Sequence, residues 1–165
     1  MCGFVGFLAR PDQEPPSTQW LARMSDCIAH RGPDDDGIHV RGPVGLAFRR
    51  LAILDLSPAG HQPMASRDGA HVLVFNGEIF NYVELRAELA ALGHEFSSSG
   101  ESAVLLAAYR QWGDRCVERF VGMFAFCIHD IARGRLLIGR DRFGVKPLYL
   151  LRTPRGLVFG SELKA

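Results

Sequence analysis

The second residue is a cysteine, directly behind the initiator methionine. A side chain this small makes Met1 a substrate for removal. The product would carry a free α-amine and a thiol on one residue. An α-amine titrates near about 7.7–8 and a thiol near about 8.5. The amine can therefore take the thiol proton at neutral pH without a separate histidine, the logic of N-terminal threonine nucleophiles. The same dipeptide also fits a small buried residue opening a strand, and both readings stand at this point. His30 has the type of a general base, but the Cys2 amine suffices. Cys27, Cys116 and Cys127 sit in apolar contexts without CxxC spacing, so they are expected to be inert thiols rather than zinc ligands. No Gly-rich phosphate loop of the P-loop type occurs.

These residues must be held by a folded frame. The 165 residues correspond to about one domain. Apolar residues make up 47% and charged residues 22%, ordinary values for a packed chain. Nineteen basic residues against 18 acidic give a net charge of +1, which argues against nucleic-acid or anionic-membrane binding by bulk electrostatics. The longest apolar run, 121–128, falls far short of the roughly 18 residues of a membrane span. No basic leader precedes the apolar start, so a cytoplasmic location is expected.

Residues 2–9 read as a buried strand. A helix follows from about Thr18 to His30, with Trp20, Leu21, Met24 and Ile28 on one face. The stretch RGPDDDG at 31–37 reads as a loop, 38–54 as two or three strands around Gly42-Pro43, and 55–69 as a polar loop. A strand over 70–75 ends at Asn76-Gly77, a turn signal. One helix starts near Asn81, whose spacing to Glu84 is that of a capping box, and closes at Gly93. Another spans about 102–112 and stops at Gly113. Strands over 122–130, 135–140, 147–152 and 156–160 complete the chain. Strands and helices do not alternate one for one, so the pattern is an α+β layered domain with antiparallel sheets.

Six motifs stand in sequence: MCGFVGF at 1–7, HRGPD at 30–34, RRLAILD at 49–55, VFNGEIFNY at 74–82, GMFAFCIHD at 122–130 and GRDRFGVKPLY at 139–149. Together they resemble class II glutamine amidotransferases, and more narrowly the N-terminal glutaminase half of glutamine-hydrolysing asparagine synthetases. The resemblance covers essentially all of 1–165. It implies a four-layer αββα sandwich of the N-terminal-nucleophile hydrolase type, truncated at its C-terminal end.

The resemblance also assigns roles. Cys2 would attack the side-chain amide of L-glutamine, giving glutamate and ammonia through a thioester. The Asn76 amide and Gly77 N–H would receive the oxyanion. Arg50 would hold the α-carboxylate, and Glu78 and Glu101 the ammonium, beside the backbone of Ile53 and Leu54. Arg31, Gly32, Pro33 and Asp34 would form a lid loop. Three departures appear. Glu101 stands at the family's aspartate position, Ala103 at its glutamate position, and Phe48-Arg49 replace its usual His-Glu. The family's synthetase domain would use ATP and magnesium to amidate aspartate. Its phosphate loop is absent, so this domain is expected to need no metal or cofactor itself. Its expected partners are L-glutamine, that synthetase domain in cis, and a second copy as a homodimer. A silent glutamine-binding module, or an amidotransferase half for another acceptor, are the competing readings.

Overall fold

The computed structural model describes residues 1–165 apart from Leu54 and Ser97. In chain order the elements are β1 (Gly3–Ala9), α1 (Thr18–Asp26), β2 (Asp35–Arg41), β3 (Val44–Arg50), β4 (Met64–Ala65), β5 (His71–Ile79), α2 (Tyr82–Ala91), α3 (Glu101–Trp112), β6 (Gly122–Asp130), β7 (Arg135–Arg140), β8 (Tyr149–Thr153) and β9 (Gly156–Gly160). Single 3-10 segments lie at Ala29–Arg31, Pro58–Gly60 and Gly113–Arg119.

Two antiparallel sheets result, ordered β2-β3-β1-β9-β8 and β4-β5-β6-β7. Strand alternation gives each sheet two apolar faces, and each face is covered. Phe4, Leu46 and Phe48 of the first sheet meet Val72, Val74, Ala125 and Cys127 of the second in the central core. On the outer face of the first sheet, Leu21, Met24 and Ile28 pack on Val5 and Ala47, with Trp20 edge-on to Phe7. On the outer face of the second, Leu85, Leu89 and the apolar residues of α3 cover Leu73, Phe75 and Phe126. This is the expected αββα layering.

The differences from the sequence reading have local causes. α1 stops at Asp26, because the chain tightens into the 3-10 segment that brings Arg31 under Cys2. β2 begins at Asp35, inside the expected loop, where Asp35 pairs with Arg50 and Asp36 with Arg49. Pro147 has no N–H for a ladder, and β8 starts only at Tyr149. Asn81 makes no capping box. Its amide instead donates to the Arg119 carbonyl (3.0 Å) and accepts from Val121 N–H (3.0 Å), tying the start of α2 to the entry of β6. Gly93 and Gly113 end their helices at φ of 90° and 61°, a region that glycine enters without strain. Cys116 and Cys127 are buried, and burial raises both thiols, Cys116 to about 12. Cys27 is exposed instead, because α1 ends one residue before it.

Across the central core, His39 on β2 and His129 on β6 meet, Nε2 to Nδ1, at 3.2 Å. Burial lowers both, His129 from 6.5 to about 4; His39 and Arg41 further oppose a charge on His129, and Arg41 opposes one on His39. The neutral forms are therefore the folded forms. Below 6.5 the unfolded chain binds protons that the native pair refuses, so stability is expected to decline as pH falls from 6.5 to about 4. Thermal melts at pH 7.5 and 5.0 check this: the drop in Tm should be smaller in His129→Leu than in the unsubstituted chain.

Candidate active site

Pairing of Gly3 with Arg49 sets Cys2 beside the chain that leaves β3. The Cys2 Sγ receives the Leu51 N–H at 3.3 Å and lies 3.4 Å from the Leu51 carbonyl. The Cys2 carbonyl receives Arg31 Nε at 2.9 Å. Arg31 Nη1 in turn donates to Glu162 at 3.0 Å, and Glu162 also meets His30 at 2.9 Å. Residue 2 is thus fixed from behind by an ion-paired guanidinium.

Above Cys2 lies a cavity of about 430 Å³. Its walls include Cys2, Arg50, Ile53, Asn76, Gly77, Glu78 and Glu101, which the sequence scatters over a hundred positions. Leu54, expected beside Ile53, lies outside the described residues. Arg31, Gly32, Pro33 and Asp34, expected as a lid, sit behind this wall. Asp34 N–H donates to the Arg50 carbonyl (3.0 Å) and its carboxylate accepts Ala52 N–H (2.8 Å). A Cβ on Gly32 would run into the backbone of Arg49 and Arg50. In this arrangement Arg31, Gly32 and Asp34 buttress Cys2 and Arg50.

The Asn76-Gly77 pair is not a turn. It lies within β5, with Asn76 opposite Ala125 and Gly77 opposite Phe124. The alternation of an antiparallel ladder decides where the Gly77 N–H points. Phe124 uses its own N–H and carbonyl on Asp141, at 3.2 and 2.8 Å, on the β7 side. Gly77 and Phe124 are therefore a non-hydrogen-bonded pair, and the Gly77 N–H faces away from β6. Phe75 and Ile79 share that orientation. Phe75 N–H is taken by Gln62 Oε1 at 2.7 Å and Ile79 N–H by Glu101 Oε1 at 3.0 Å. Gly77, between them, lines the cavity, and its N–H has no partner among the described residues. A Cβ here would strike the Met123 carbonyl and Phe124, so only glycine fits this close pairing. Next to it, Asn76 is 2% exposed, and its Nδ2 has no hydrogen-bond partner among the described residues. A buried amide donor without a partner typically costs about 1–3 kcal/mol. Two unused donors on adjacent residues, beside a thiol, form a ready-made receptor for an oxyanion.

The cavity wall carries charges of both signs. Arg50 is 8% exposed at the end of β3; its Nη1 donates to the Ser57 carbonyl (3.1 Å), its Nη2 reaches the Asp55 carbonyl, and Asp35 stands at 3.8 Å. Glu101 opens α3 and is 8% exposed. Burial raises its carboxyl to about 7; the Ile79 N–H opposes the rise and the neighbouring Glu78 adds to it. A guanidinium and two carboxylates in one cavity wall offer partners for both ends of a zwitterion.

The sequence reading missed Gln62, Asp55 and Lys146 in the cavity wall. Gln62 imitates a missing strand on Phe75, accepting its N–H and facing its carbonyl at 3.4 Å. The Asp55 carboxylate accepts Ser57 and Ser98 hydroxyls, both at 2.6 Å, and these with the Ser57 N–H hold it well below the carboxylate range. No local signal marks the two. Lys146 carried one, being one of only two lysines in the chain.

An αββα sandwich with a thiol just ahead of β1 and two unused donors in the same cavity wall has the layout of a class II glutamine amidotransferase domain. The chain belongs to that family: residues 1–165 match the glutamine amidotransferase domain. The type is that of asparagine synthetases. The chain is 41% identical over 167 residues to glutamine-hydrolyzing asparagine synthetase 2 of Bacillus subtilis, covering 100% of itself and 22% of that protein. It is 39% identical over 166 residues to glutamine-hydrolyzing asparagine synthetase B of Escherichia coli, covering 100% of itself and 30% of that protein. The chain thus spans between a fifth and a third of the length of these relatives. The glutamine phosphoribosylpyrophosphate amidotransferase of B. subtilis superposes with a TM-score of 0.81 over 98% of this chain and 42% of that one. At 20% identity that likeness shows the fold alone. Among the described residues no helix is long and apolar enough to cross a membrane.

Proposed function

We propose that this domain hydrolyses the side-chain amide of L-glutamine. The observation that carries the reading is the pair of donors without partners among the described residues, Asn76 Nδ2 and Gly77 N–H, in the cavity wall shared with Cys2. Once Met1 is removed, the Cys2 α-amine takes the thiol proton and the thiolate adds to the amide carbon. The carbonyl electrons move onto oxygen, where the two donors receive them. As the C–N bond breaks, the amine returns the proton to the departing nitrogen and ammonia leaves. Water then hydrolyses the thioester to glutamate. Arg50 holds the α-carboxylate, and Glu101 with Glu78 the α-ammonium, beside Ile53. None of these steps calls on a metal or cofactor. We further propose that the ammonia serves an ATP-dependent amidation of aspartate on a synthetase domain in cis.

Labelling tests the reading. A diazo-ketone analogue of glutamine should add once, only to chains that begin at Cys2, and excess glutamine should block it; absence of the adduct on such chains overturns the proposal. Met1, present in the cavity wall, favours the silent-module reading only if it is retained in the cell. An intact mass settles that point.

Glu101 adds a pH signature. With its carboxyl raised to about 7, it must lose a proton to receive the substrate ammonium in acid. KM is expected to climb toward tenfold per unit as pH falls below about 7, and Glu101→Gln should raise KM about 10–100-fold with a smaller change in kcat. The stability effect has the opposite sense. A carboxyl raised above its ordinary 4.5 is penalised when ionised. The penalty is absent below 4.5 and complete above about 7. Glu101→Gln should therefore raise Tm at pH 8 and leave it unchanged near pH 4.5.

A further inference from the structure

Lys146 is a buried lysine without an ion-pair partner among the described residues. It is 6% exposed, and its Nζ donates to the Met1 Sδ at 3.2 Å. A thioether is a weak acceptor, and lysine is rarely this buried unless paired. The placement is built rather than incidental. The loop after β7 winds around the Asp141 carboxylate, which accepts the N–H groups of Phe143 (3.1 Å), Val145 (2.9 Å), Lys146 (3.1 Å) and, from β6, Phe124 (3.2 Å). Phe124 is the residue opposite Gly77. One carboxylate thus fixes both the strand pair that aims the Gly77 donor and the lysine that touches residue 1. Lys146, Met1 and Cys2 line the same cavity.

We infer that Lys146 is a positioning charge for the N-terminal nucleophile, and the inference rests on the proposed role of Cys2. Removal of Met1 takes away the thioether and leaves the ammonium in the wall of the cavity that Cys2 also lines. A fixed positive charge disfavours the ammonium form of the Cys2 amine and favours the thiolate form of its thiol. Both effects lower the proton affinity of residue 2, so the amine is free to act as base and the sulfur to attack. The other charges facing this point come from every neighbouring element. Arg31, on the Cys2 carbonyl, is matched by Glu162. Arg50 at the end of β3 engages the carbonyls of 55 and 57, with Asp35 at 3.8 Å. Glu78 from β5, Glu101 from α3 and Asp55 from the loop after β3 are negative and oppose Lys146, and Tyr82 from α2 adds a phenol. Asp141 is committed to backbone N–H groups.

The test compares Lys146→Met and Lys146→Arg with the unsubstituted chain, all verified by mass to begin at Cys2 and trimmed with methionine aminopeptidase where they do not. Two pH profiles are read: alkylation of Cys2 by iodoacetamide, followed by intact mass, and kcat/KM for glutamine. Lys146→Met should move the acid limb of both profiles upward by about one unit, a roughly tenfold loss on that limb that vanishes at high pH. Lys146→Arg should restore most of it. A merely structural lysine would lower rates equally at all pH values, or leave both profiles unmoved; either result overturns the inference. Alkylation needs no turnover. A chain that alkylates as described but leaves glutamine intact would refute the proposed function while upholding the role of Lys146.

Discussion

Cys2→Ala is expected to reduce glutamine hydrolysis to background, a loss on the order of 10⁴-fold or more in kcat, because the covalent route disappears with its nucleophile. The fold should survive. Cys2 precedes the first strand, its side chain is only half-buried, and its contacts to Leu51 are weak sulfur contacts at 3.3–3.4 Å. The central core is made by Phe4, Leu46, Phe48 and the facing sheet. Equal Tm values for the variant and the unsubstituted chain, together with loss of ammonia release, would place the effect in chemistry. Continued ammonia release at the original rate would sink the mechanism. Isothermal titration with glutamine separates binding from turnover, since Arg50, Glu78 and Glu101 remain in the alanine variant.

Asn76→Ala is expected to lower kcat by about 10²–10³-fold and to leave KM within a few-fold. The asymmetry follows from where the amide is used. Asn76 Nδ2 has no partner among the described residues, so it is expected to contribute when charge develops on the substrate oxygen rather than when the ground state binds. Its removal also takes away a buried unpaired donor, which offsets part of the packing lost on truncation. Tm should fall little. A large fall in Tm with proportionate loss of active protein would mean that Asn76 is a structural residue of β5. Iodoacetamide alkylation of Cys2 should proceed as before, because the oxyanion donors act after the thiolate has formed.

The order and kinds of elements were legible because they rest on period and punctuation. The alternating or continuous apolar runs of β1, β6 and β9 and the three-and-four spacing of α1 are properties of neighbouring residues. Gly93 and Gly113 mark helix ends through a backbone conformation that side chains disfavour. The errors fell where a distant partner decides. Asn76-Gly77 carries the dipeptide of a hairpin turn, yet nine paired positions between β5 and β6 hold it extended. Asn81 has the residue type of a cap, yet Arg119 and Val121 claim its amide. Gln62 and Asp55 reach the cavity from a loop whose composition says only that it is polar.

The sequence by itself determined the chemistry on offer: a thiol that can share its residue with a free amine, an arginine and carboxylates for a zwitterion, and six motifs in the order of one family. Residue type fixes reactivity, and short-range spacing fixes the element that carries it. Tertiary structure alone decided direction. It pointed the Gly77 N–H away from β6, left Asn76 Nδ2 without a partner among the described residues, raised Glu101 by burial, and brought Lys146 to residue 1 across 145 positions. Each depends on which groups a second strand or loop has already satisfied, and satisfaction and burial are properties of pairs brought together by the fold.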